Sequence, residues 1–520
     1  MSTADRTYVL RRLALILLLA FGLRLVNLGG RALWYDEAFA VLFAEKGLSA
    51  MLYGTLTPVE GGAADIHPLL YYIILNGWMR VFGQSPEMVR LLSVFAGLLT
   101  VAVVYRLTAG LFDRRVGMAA ALITALAPFH IQYSQETRMY ALLALLLLLA
   151  TWAYWRAWHS ERAVWWIGFG VLAALAMYTQ QLAAFYLAAL GLIPLLARAW
   201  RKILPTMAAA GLAVLLYLPW LINLPGQLGK LQAYYWIPRP SILRPLLTLR
   251  SFITVSLDYP APWSSTGFVI SVILTVLLIM QIRLHWRRMH SPERRALLGV
   301  IWLLAGSTAL LWLASQVLTP VYLDRALVAQ GVLLYIALAW LLVRGGLPRP
   351  IAALVVAAWL IVASAGYVFQ VTWRTFPNPP FQEAVAYLRA NAAPGDAIVH
   401  SNKLTMLPMV YYDRALPQAY MADRPGSGED TLALPTQEVL GLIGEHCLPA
   451  TLGGAGRVWL VIFAQEEEEY LSLPGVEAHP HLSWLRTHYN EGQAVAFEDL
   501  LLIPFSSPDD YTPHCPEEAP

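Results

Sequence analysis

Long apolar segments constrain this 520-residue chain more than any other feature of its sequence. The stretches "LALILLLAFGLRLVNL" (residues 13–28) and "ALLALLLLLATWAYW" (residues 141–155) belong to runs long enough to cross a bilayer, which takes about 20 residues of helix. Hydrophobic residues make up 58% of the chain and charged residues only 13%, which is far from the composition of soluble domains. The sequence therefore predicts a polytopic α-helical membrane protein.

The basic residues between these runs predict the topology, because Lys and Arg concentrate in cytoplasmic loops. With Arg11 and Arg12 inside, about eleven spans put every major basic cluster on the cytoplasmic side. The predicted spans cover residues 13–28, 88–111, 116–129, 139–155, 163–179, 182–197, 203–222, 266–284, 296–318, 326–343 and 350–370. The chain is then a multi-pass plasma membrane protein whose N-terminus is cytoplasmic.

One apolar stretch, "HPLLYYIILNGWMRVFG" (residues 67–83), is predicted not to cross. Its apolar part is short for a span, and it is rich in the Tyr and Trp side chains typical of membrane interfaces. Counting it as a span would also place the basic cluster at residues 113–115 outside. It would reverse the orientation of every span that follows. We therefore expect interfacial helices in the first external loop.

The last part of the chain is polar and contains no span. We predict a transmembrane domain over residues 1–370 and a small external α/β domain over residues 371–520. The expected elements of the second domain are a helix at Phe381–Ala392 and strands at Ala397–His400, Arg457–Phe463 and Ala494–Phe505. The chain has two cysteines, Cys447 and Cys515, and both lie in this external part, where they are free to pair.

Ionisable and polar side chains gather at the predicted external ends of the spans. They come from four separate segments of the chain, and they are Asp36, Glu37, Asp65, His67, Glu136, Arg138, Tyr140, Asp324 and Arg325. Ionisable groups near a bilayer are costly and tend to mark sites. Their shared location predicts a functional site on the external face.

Each segment also has an ordinary structural interpretation. The Asp36–Glu37 pair would stabilise the start of an interfacial helix, where acidic residues are favourable. The His67–Pro68 pair would simply begin a helix. The charged residues of the other two segments would form loop ion pairs or extend toward the interface. The functional interpretation rests on all four segments sharing one face.

The residue types suit one kind of chemistry. A carboxylate that accepts a proton from a hydroxyl acts as a general base, and arginines bind phosphate through paired hydrogen bonds. A sugar carried on a lipid phosphate at the membrane surface would need both groups. The sequence is thus compatible with sugar transfer from a lipid-phosphate donor.

Four motifs in order give the chain a family resemblance. The segments "LWYDEAF" (residues 33–39), "HPLLYYIIL" (67–75), "YSQETRMYAL" (133–142) and "YLDRALVAQGVLLYIAL" (322–338) resemble GT-C glycosyltransferases of the protein O-mannosyltransferase and lipid A aminoarabinose transferase type. The resemblance covers residues 10–345. The stretch "FQEAVAYLRANAAPGDAIV" (381–399) also resembles the start of the external domain in bacterial relatives.

This resemblance implies an inverting transfer of a sugar from a polyprenyl-phosphate donor on the external face. It implies that the catalytic residues are Asp36, the expected general base, and Glu37 beside it. The implied substrate-binding residues are His67, Glu136, Arg138, Tyr140 and Arg325, of which the last is expected near the donor phosphate. The implied acceptor is a protein, a lipid or a polysaccharide.

Two motifs depart from the family pattern. The last motif reads Arg325–Ala326 with no proline nearby, where the family often has Arg-Tyr and then Leu-x-Pro. The His-Pro-Pro motif reads His67–Pro68–Leu69. Because metal use varies within this fold, a divalent cation at Asp36, His67 and Glu136 is a further hypothesis.

A transporter or lipid flippase is the alternative function. Such proteins favour ionisable residues and broken helices at the bilayer midplane, often with an internal repeat. No repeat is evident here, and the main charges within spans, Arg24 and Arg106, lie toward span ends. The formal net charge of +3 gives no indication of a nucleic-acid partner.

Overall fold

The structure is a computed structural model that describes residues 3–60, 62–160, 162–234, 237–255, 262–423, 432–472 and 478–507. Cys515, predicted to be available for pairing with Cys447, lies outside the described residues.

Residues 3–371, here called the membrane region, are almost entirely helical. The helices are α1 (Thr3–Leu25), α2 (Tyr35–Ala44), α3 (Leu48–Leu56), α4 (Leu70–Phe82), α5 (Pro86–Leu111), α6 (Arg114–Leu126), α7 (Pro128–Ser134), α8 (Tyr140–Ser160), α9 (Ala163–Thr179), α10 (Ala183–Leu196), α11 (Ile203–Leu221), α12 (Leu224–Tyr234), α13 (Arg244–Ile253), α14 (Trp263–His285), α15 (Ser291–Val317), α16 (Val328–Arg344) and α17 (Arg349–Val371). Short 3-10 turns precede α11 and α16, and the strands β1 (Pro58–Val59) and β2 (Gly62–Ala63) form a small hairpin after α3.

The protein is a multi-pass membrane protein. Within the described residues, seven helices are long and apolar enough to cross a membrane, or eight if the bent pair α6–α7 counts as one span. Each of the predicted spans overlaps a helix, except that the span at residues 116–129 is divided between α6 and α7. The helices α9 and α10 are shorter apolar helices. The prediction of about eleven spans remains a prediction.

The predicted interfacial segment forms α4, which has 13 residues and is too short to span a bilayer. The helix α2, which lies earlier in the same loop, begins two residues after Leu33 and carries two acidic residues in its first turn. Negative charge is favourable at a helix N-terminus, so this sequence starts a helix readily. The helix α2 packs against α4.

The predicted span at residues 116–129 is bent rather than straight, with an angle of 62° between α6 and α7. Pro128 has no N–H to continue α6, and the residue before a proline avoids the helical conformation; Ala127 is accordingly extended. The buried Arg24 of α1 donates to the freed carbonyl of Ala125 at 3.2 Å. The bend directs α7 into the loop before α8, which holds two predicted site residues.

Residues 372–507, here called the C-terminal region, contain a mixed sheet with helices on it. The helices are α18 (Phe381–Asn391), α19 (Lys403–Tyr412), α20 (Leu434–Leu440), α21 (Leu448–Leu452), α22 (Ala464–Leu471) and α23 (Pro480–His488). The strands are β3 (Ala397–His400), β4 (Ala419–Tyr420), β5 (Arg457–Phe463), β6 (Asn490–Glu491), β7 (Val495–Phe497) and β8 (Leu500–Ser506). The sheet order is β4-β3-β5-β8-β6, with β7 also paired to β8. The strand β3 runs parallel to β4 and β5, and β8 runs antiparallel to β5.

The strand predicted at Ala494–Phe505 was wrong as a single element, because it is a hairpin of β7 and β8. Phe497 pairs with Leu500, so the turn consists of two residues. The first of them, Glu498, has φ of 57°, the left-handed conformation that two-residue hairpin turns require. The turn residues are Glu and Asp, so the glycine that usually identifies such a turn in a sequence is absent at this position.

The C-terminal region docks directly on the first loop of the membrane region. Its helices α19 and α20 pack against α2 and α3, respectively. Buried side chains from this region join the same hydrophobic core as the membrane helices, namely Met406, Leu407, Val410, Tyr420 and Leu440. The helix that carries the acidic pair is therefore enclosed between α4 and α19.

Candidate active site

A cavity of about 1300 Å³ lies between the two regions. Five of the seven predicted catalytic and substrate-binding residues line it, and these are Asp36, His67, Arg138, Tyr140 and Arg325. They come from α2, the segment before α4, the loop before α8, the start of α8 and the turn before α16. The remaining two, Glu37 and Glu136, do not line the cavity.

Asp36 is the centre of the polar wall that the membrane region contributes. Arg325 donates from Nη1 to Oδ2 of Asp36 at 2.8 Å, and Nε of Arg138 lies 3.6 Å from the same oxygen. Arg138 also donates from Nη1 to the Asp36 backbone carbonyl at 3.3 Å. Two guanidinium groups from distant segments thus share one carboxylate.

These two arginines keep Asp36 ionised. Burial raises the pKa of Asp36, but the positive charges of Arg138 and then Arg325 outweigh burial and hold that pKa below its usual value. A carboxylate that is ionised at neutral pH is in the form that accepts a proton. Asp36 therefore has the protonation state required of a general base.

The two guanidinium groups retain unused hydrogen-bonding capacity. The Nε atoms of Arg138 and Arg325 are buried and make no hydrogen bond within the described residues. With one carboxylate between two cations, this wall carries excess positive charge. A phosphate bound here would gain charge complementarity with both guanidinium groups.

Aromatic rings fix the position of Arg325. Its guanidinium carbon lies 5.6 Å from the ring centroid of Tyr140 and 5.9 Å from that of Trp34. Such cation–π contacts favour Arg over aromatic faces and restrict its rotamers. Tyr140 therefore contributes to the site by packing its ring against the guanidinium group of Arg325, not by contacting the carboxylate of Asp36.

The neighbouring Asp324 does not pair with Arg325, which is the ordinary interpretation that the sequence left open. Its oxygens accept hydrogen bonds from Thr248 at 2.8 Å and Ser251 at 2.9 Å, and Arg244 lies 3.2 Å away. Asp324 thereby anchors the turn before α16 to α13. This anchoring leaves Arg325 free to reach Asp36.

His67 is oriented by Asp65. Its Nδ1 lies 2.9 Å from Oδ1 of Asp65, which also accepts the backbone N–H of Ile66. Donation from Nδ1 to the carboxylate fixes the ring and leaves Nε2 as its other polar atom. The ring lines the cavity, so His67 can present Nε2 to a bound molecule.

Glu37 is buried behind the cavity wall rather than exposed to it. Arg90 donates to both of its carboxylate oxygens, at 2.8 and 2.6 Å, and the backbone N–H of Thr137 donates at 2.8 Å. Both side chains of this ion pair are almost completely inaccessible to solvent. Arg90 also donates to three backbone carbonyls, those of Leu28, Arg31 and Ala32. The carboxylate of Glu37 therefore joins α2, α5 and the loop before α8.

Glu136 is also buried, in the same loop. Burial raises its pKa to about 7, although the positive charge of Arg31 opposes this shift; the negative charge of Glu37 adds to it. Of the residues predicted from the sequence, Glu136 is therefore the one whose carboxyl group titrates near neutral pH.

The proposed metal ligands Asp36, His67 and Glu136 do not fit a divalent cation. In the described part of the chain, no group of three His, Cys, Asp or Glu side chains is arranged to hold a metal ion. Arg325 occupies the Asp36 carboxylate, and its charge would repel a cation bound there.

Sequence reasoning missed Arg90, which holds Glu37. A signal was present, because an arginine in the first turns of a predicted span is expensive and calls for a partner. It also missed Gln180 and Gln181, which line the cavity between α9 and α10. These two lie in the short break between apolar helices, where a polar pair is a weak signal.

The C-terminal region supplies the opposite wall, which the sequence did not predict. Its polar lining residues include Ser401, Asn402, Lys403, Asp423, Glu466 and Glu469. They follow β3, β4 and β5 in the chain, near the ends of parallel strands. No local pattern connects them to residues of the membrane region.

The chain was also compared with known proteins. Residues 66–223 match the profile of the family described as dolichyl-phosphate-mannose-protein mannosyltransferase. A search of curated proteins found no match.

Two solved proteins are similar over nearly the whole chain. ArnT from Cupriavidus metallidurans gives a TM-score of 0.60 at 12% identity when bound to undecaprenyl phosphate. In the apo state it gives a TM-score of 0.61 at 13% identity. Both comparisons cover 96% of this chain and 98% of that chain. The oligosaccharyltransferase from Archaeoglobus fulgidus gives a TM-score of 0.51 at 13% identity, with 97% of this chain and 74% of that chain covered. At these identities the likeness establishes the fold. With the family match, it confirms the resemblance and the enzyme class inferred from the sequence.

Proposed function

We propose that this chain, which has the GT-C glycosyltransferase fold and carries a mannosyltransferase-family domain, moves a sugar from a polyprenyl-phosphate donor to an acceptor hydroxyl. The transfer inverts the anomeric carbon and takes place on the external side of the membrane. The site is the cavity between the membrane region and the C-terminal region.

One observation carries this proposal: Arg138 and Arg325 share the Asp36 carboxylate on the wall of the cavity. The reaction needs an anion site for the donor phosphate beside a base for the acceptor hydroxyl. The two guanidinium groups provide the first through their excess positive charge beside Asp36. The ionised carboxylate provides the second.

The proposed reaction is a single displacement. The acceptor oxygen forms a bond to the anomeric carbon as the bond from that carbon to the phosphate oxygen breaks. Asp36 takes the acceptor proton, and the electron pair leaves with the polyprenyl phosphate. Arg138 and Arg325 stabilise the negative charge that develops on this leaving group.

Donor binding also prepares the base. A phosphate held by Arg138 and Arg325 competes with Asp36 for the same guanidinium donors. Their stabilisation of the ionised carboxylate then weakens, which raises the pKa of Asp36 and makes it a stronger base. The base is thus strengthened only when the donor is in place.

The cavity also has an apolar part, lined by Leu182, Leu231 and Val321. An apolar lining beside a phosphate site suits the first units of a prenyl chain. Two proteins of similar fold were solved with such lipids, ArnT with undecaprenyl phosphate and the Archaeoglobus fulgidus enzyme with a dolichol phosphate. These matches support a polyprenyl-phosphate donor for this chain.

The other predicted residues receive positioning and binding roles. We assign His67 and Tyr140 to substrate binding, because both line the cavity. We reassign Glu37 from catalysis to positioning, because Arg90 and Thr137 fully engage its carboxylate away from the cavity. Glu136 does not line the cavity, so we propose that it shapes the loop that presents Arg138.

The arrangement of basic loops supports the external location. Arg344 at the end of α16 pairs with Asp113 at 2.6 Å and Glu293 at 3.3 Å, which joins three of the predicted cytoplasmic loops on one face. The cavity lies at the other end of α16, next to Arg325. By the positive-inside rule, that end is external.

The test uses the purified protein in lipid nanodiscs with a panel of polyprenyl-phosphate sugars that includes mannose, glucose and aminoarabinose. Release of polyprenyl phosphate is measured in the presence of membrane extract as acceptor. We expect Asp36→Asn to lower turnover by about 10²- to 10⁴-fold, the usual contribution of a general base.

The matched control is Glu60→Gln, an exposed carboxylate in the same loop, which should keep wild-type turnover. Thermal unfolding of both variants checks that they fold. Full activity of a folded Asp36→Asn variant would reject Asp36 as the base. Lipid movement across the membrane without release of polyprenyl phosphate would favour the flippase alternative.

A further inference from the structure

The two walls of the cavity carry opposite charge. On the membrane-region wall, two guanidinium groups face one carboxylate, that of Asp36. On the C-terminal wall, the charged lining residues in the described part of the chain are Lys403, Asp423, Glu466 and Glu469. One ammonium group thus stands among three carboxylates. The donor phosphate is drawn to the first wall, which leaves the acidic wall for the acceptor.

The positive charge on the acidic wall is already neutralised. Lys403 forms an ion pair with Asp423, and both side chains are buried. Within the described residues, no Lys or Arg forms an ion pair with Glu466 or Glu469. These two carboxylates are three residues apart on α22, so they project from the same face of the helix.

Glu466 is held in a fixed position by hydrogen bonds from neighbouring side chains. Its Oε2 accepts hydrogen bonds from Ser401 and Asn402, both at 2.8 Å, and its Oε1 lies 3.0 Å from Nε2 of His479. Glu469 accepts one hydrogen bond from Gln465 at 2.7 Å. A carboxylate has about four lone-pair sites, so both groups retain capacity to accept hydrogen bonds from a bound molecule.

This wall discriminates against phosphorylated acceptors. A phosphate placed beside two carboxylates that lack a Lys or Arg partner within the described residues would meet like charge, which is a strong element of specificity. Hydroxyl groups, in contrast, donate to carboxylates in charge-assisted hydrogen bonds. A sugar ring presents several hydroxyls close together, which two neighbouring carboxylates can accept at once. A serine or threonine side chain offers one.

On the basis of the proposed transferase function, we infer that the acceptor is an uncharged glycan, bound through its hydroxyls to Glu466 and Glu469 of the C-terminal region. The tyrosine next to this pair, Tyr470, also lines the cavity and offers a ring against which a sugar can lie. The C-terminal region thereby selects the acceptor, while the membrane region binds the donor.

The inference is tested by ligand binding to the full-length protein in nanodiscs without sugar detergents. The probes are mannotriose, mannotriose with a terminal 6-phosphate, and a Ser/Thr-rich peptide, each followed by saturation-transfer NMR. We expect mannotriose to bind and its phosphorylated form to bind at least about tenfold more weakly. Glu466→Gln should weaken mannotriose binding by about tenfold, the effect of losing a charge-assisted hydrogen bond.

Two further variants make the result specific. Glu469→Gln removes a carboxylate with a single internal contact, so it should fold normally and reduce the penalty against the phosphorylated probe. Glu468→Gln, on the same helix but outside the cavity lining, should bind like the wild type. Equal or tighter binding of the phosphorylated trisaccharide would overturn the inference. So would the absence of mannotriose binding, or peptide binding that depends on Glu466.

The polyprenyl phosphate assay distinguishes a failure of this inference from a failure of the proposed transferase function. If turnover depends on Asp36 but no glycan binds, the acceptor assignment fails while the transferase function stands. If mannotriose binds through Glu466 but no donor is turned over, the transferase function fails.

Discussion

Asp36 and Glu37 are adjacent carboxylates with opposite environments. Successive residues of a helix point about 100° apart, so one side chain can face a cavity while the next faces the helices behind it. Asp36 lines the cavity between two arginines, whereas Glu37 is buried against Arg90. One position along the helix therefore separates the proposed general base from a carboxylate that supports the structure.

Arg325 should tolerate no conservative substitution. Lysine keeps the charge of Arg325 but loses the planar fork and the stacking on Tyr140. We expect Arg325→Lys to raise the KM for the lipid donor by at least about tenfold, the value of one charge-assisted hydrogen bond. Steady-state kinetics with a varied donor concentration measures this effect.

Arg244 provides the comparison for that substitution. It is partly exposed and lies 3.2 Å from Asp324 rather than in the cavity. Arg244→Lys should leave the donor KM near the wild-type value. An unchanged KM in Arg325→Lys would remove this residue from the donor site.

Glu136 should make stability depend on pH. Its pKa is about 7 in the folded protein and near 4.5 when unfolded, so the folded state holds the proton more strongly between these values. Stability therefore falls as pH rises from about 4.5 to 7 and stays lower above 7. Because glutamine does not titrate, Glu136→Gln should be more stable than the wild type at pH 8, by on the order of 3 kcal/mol.

Thermal unfolding measured from pH 4.5 to 8 checks this prediction. The stability difference between Glu136→Gln and the wild type should disappear toward pH 4.5, where Glu136 is protonated in both states. The exposed Glu468→Gln variant should follow the wild type throughout. A difference that grows toward acid pH would contradict the raised pKa.

At the scale of elements, the Glu37–Arg90 pair holds three segments in register. Arg90 of α5 engages Glu37 of α2 and the carbonyls of the chain between α1 and α2, while Glu37 holds the N–H of Thr137. Removing either side chain leaves the charge of the other buried without its partner. The geometry of Asp36 and Arg138 thus depends on a contact that lies outside the cavity.

Breaking this pair should destabilise the protein strongly. Glu37→Leu and Arg90→Met should each cost about 3–5 kcal/mol, because each leaves an unpaired buried charge. The double variant should lose less stability than the two single variants added together, because neither charge is left unpaired. Some loss remains, since the carbonyls that Arg90 binds have no donor. Thermal and denaturant unfolding of the three variants gives the coupling energy.

The exposed pair Asp113–Arg344 serves as the comparison. Its side chains are about one third exposed, so removing it should cost no more than about 1 kcal/mol. Additive effects of the Glu37 and Arg90 substitutions would show that the two side chains do not support each other.

At the scale of the whole molecule, the membrane region and the C-terminal region share one hydrophobic core. The docked helices α19 and α20 contribute buried apolar side chains to the cluster that contains α2 and the membrane helices. The cavity of the candidate site exists only because of this docking, since its two walls belong to different regions. The predicted division at residue 370 stays a prediction: the C-terminal region shares this cluster, but it also has two clusters built almost entirely from its own residues.

Cutting the chain between the regions should not separate them. A protease site inserted after Arg374, in the exposed segment that follows α17, would sever the connection without touching the docked surfaces. We expect the fragments to co-purify and to unfold in one thermal transition. Washing in 1 M salt should not release the C-terminal fragment, because apolar docking is not screened by salt.

Release of the fragment on cleavage alone would show that the covalent link holds the regions together. Two separate transitions would likewise contradict a shared core. The intact protein with the same insertion, left uncut, shows whether the insertion itself disturbs folding.

Much of the architecture was predictable because its causes are local. Hydrophobic run length specifies helices such as α5 and α15. The alternation across the membrane that the basic loops indicate stays a prediction. The strand Arg457–Phe463 was predicted with its observed bounds because it is a buried apolar run between turn residues. The bend at Pro128 has a sequence signal that the prediction of a straight span overlooked.

The sequence by itself determined the class of the protein, the face on which its polar residues gather, and the residue types available for chemistry. Only the tertiary structure decided which of these residues meet. Arg325 lies 289 positions from Asp36, and the acidic wall of the cavity is still farther along the chain. Apolar runs and charged loops act on each segment separately, through its transfer between water and lipid. Contacts between distant segments depend on how all the helices pack together, which no local pattern of residues records.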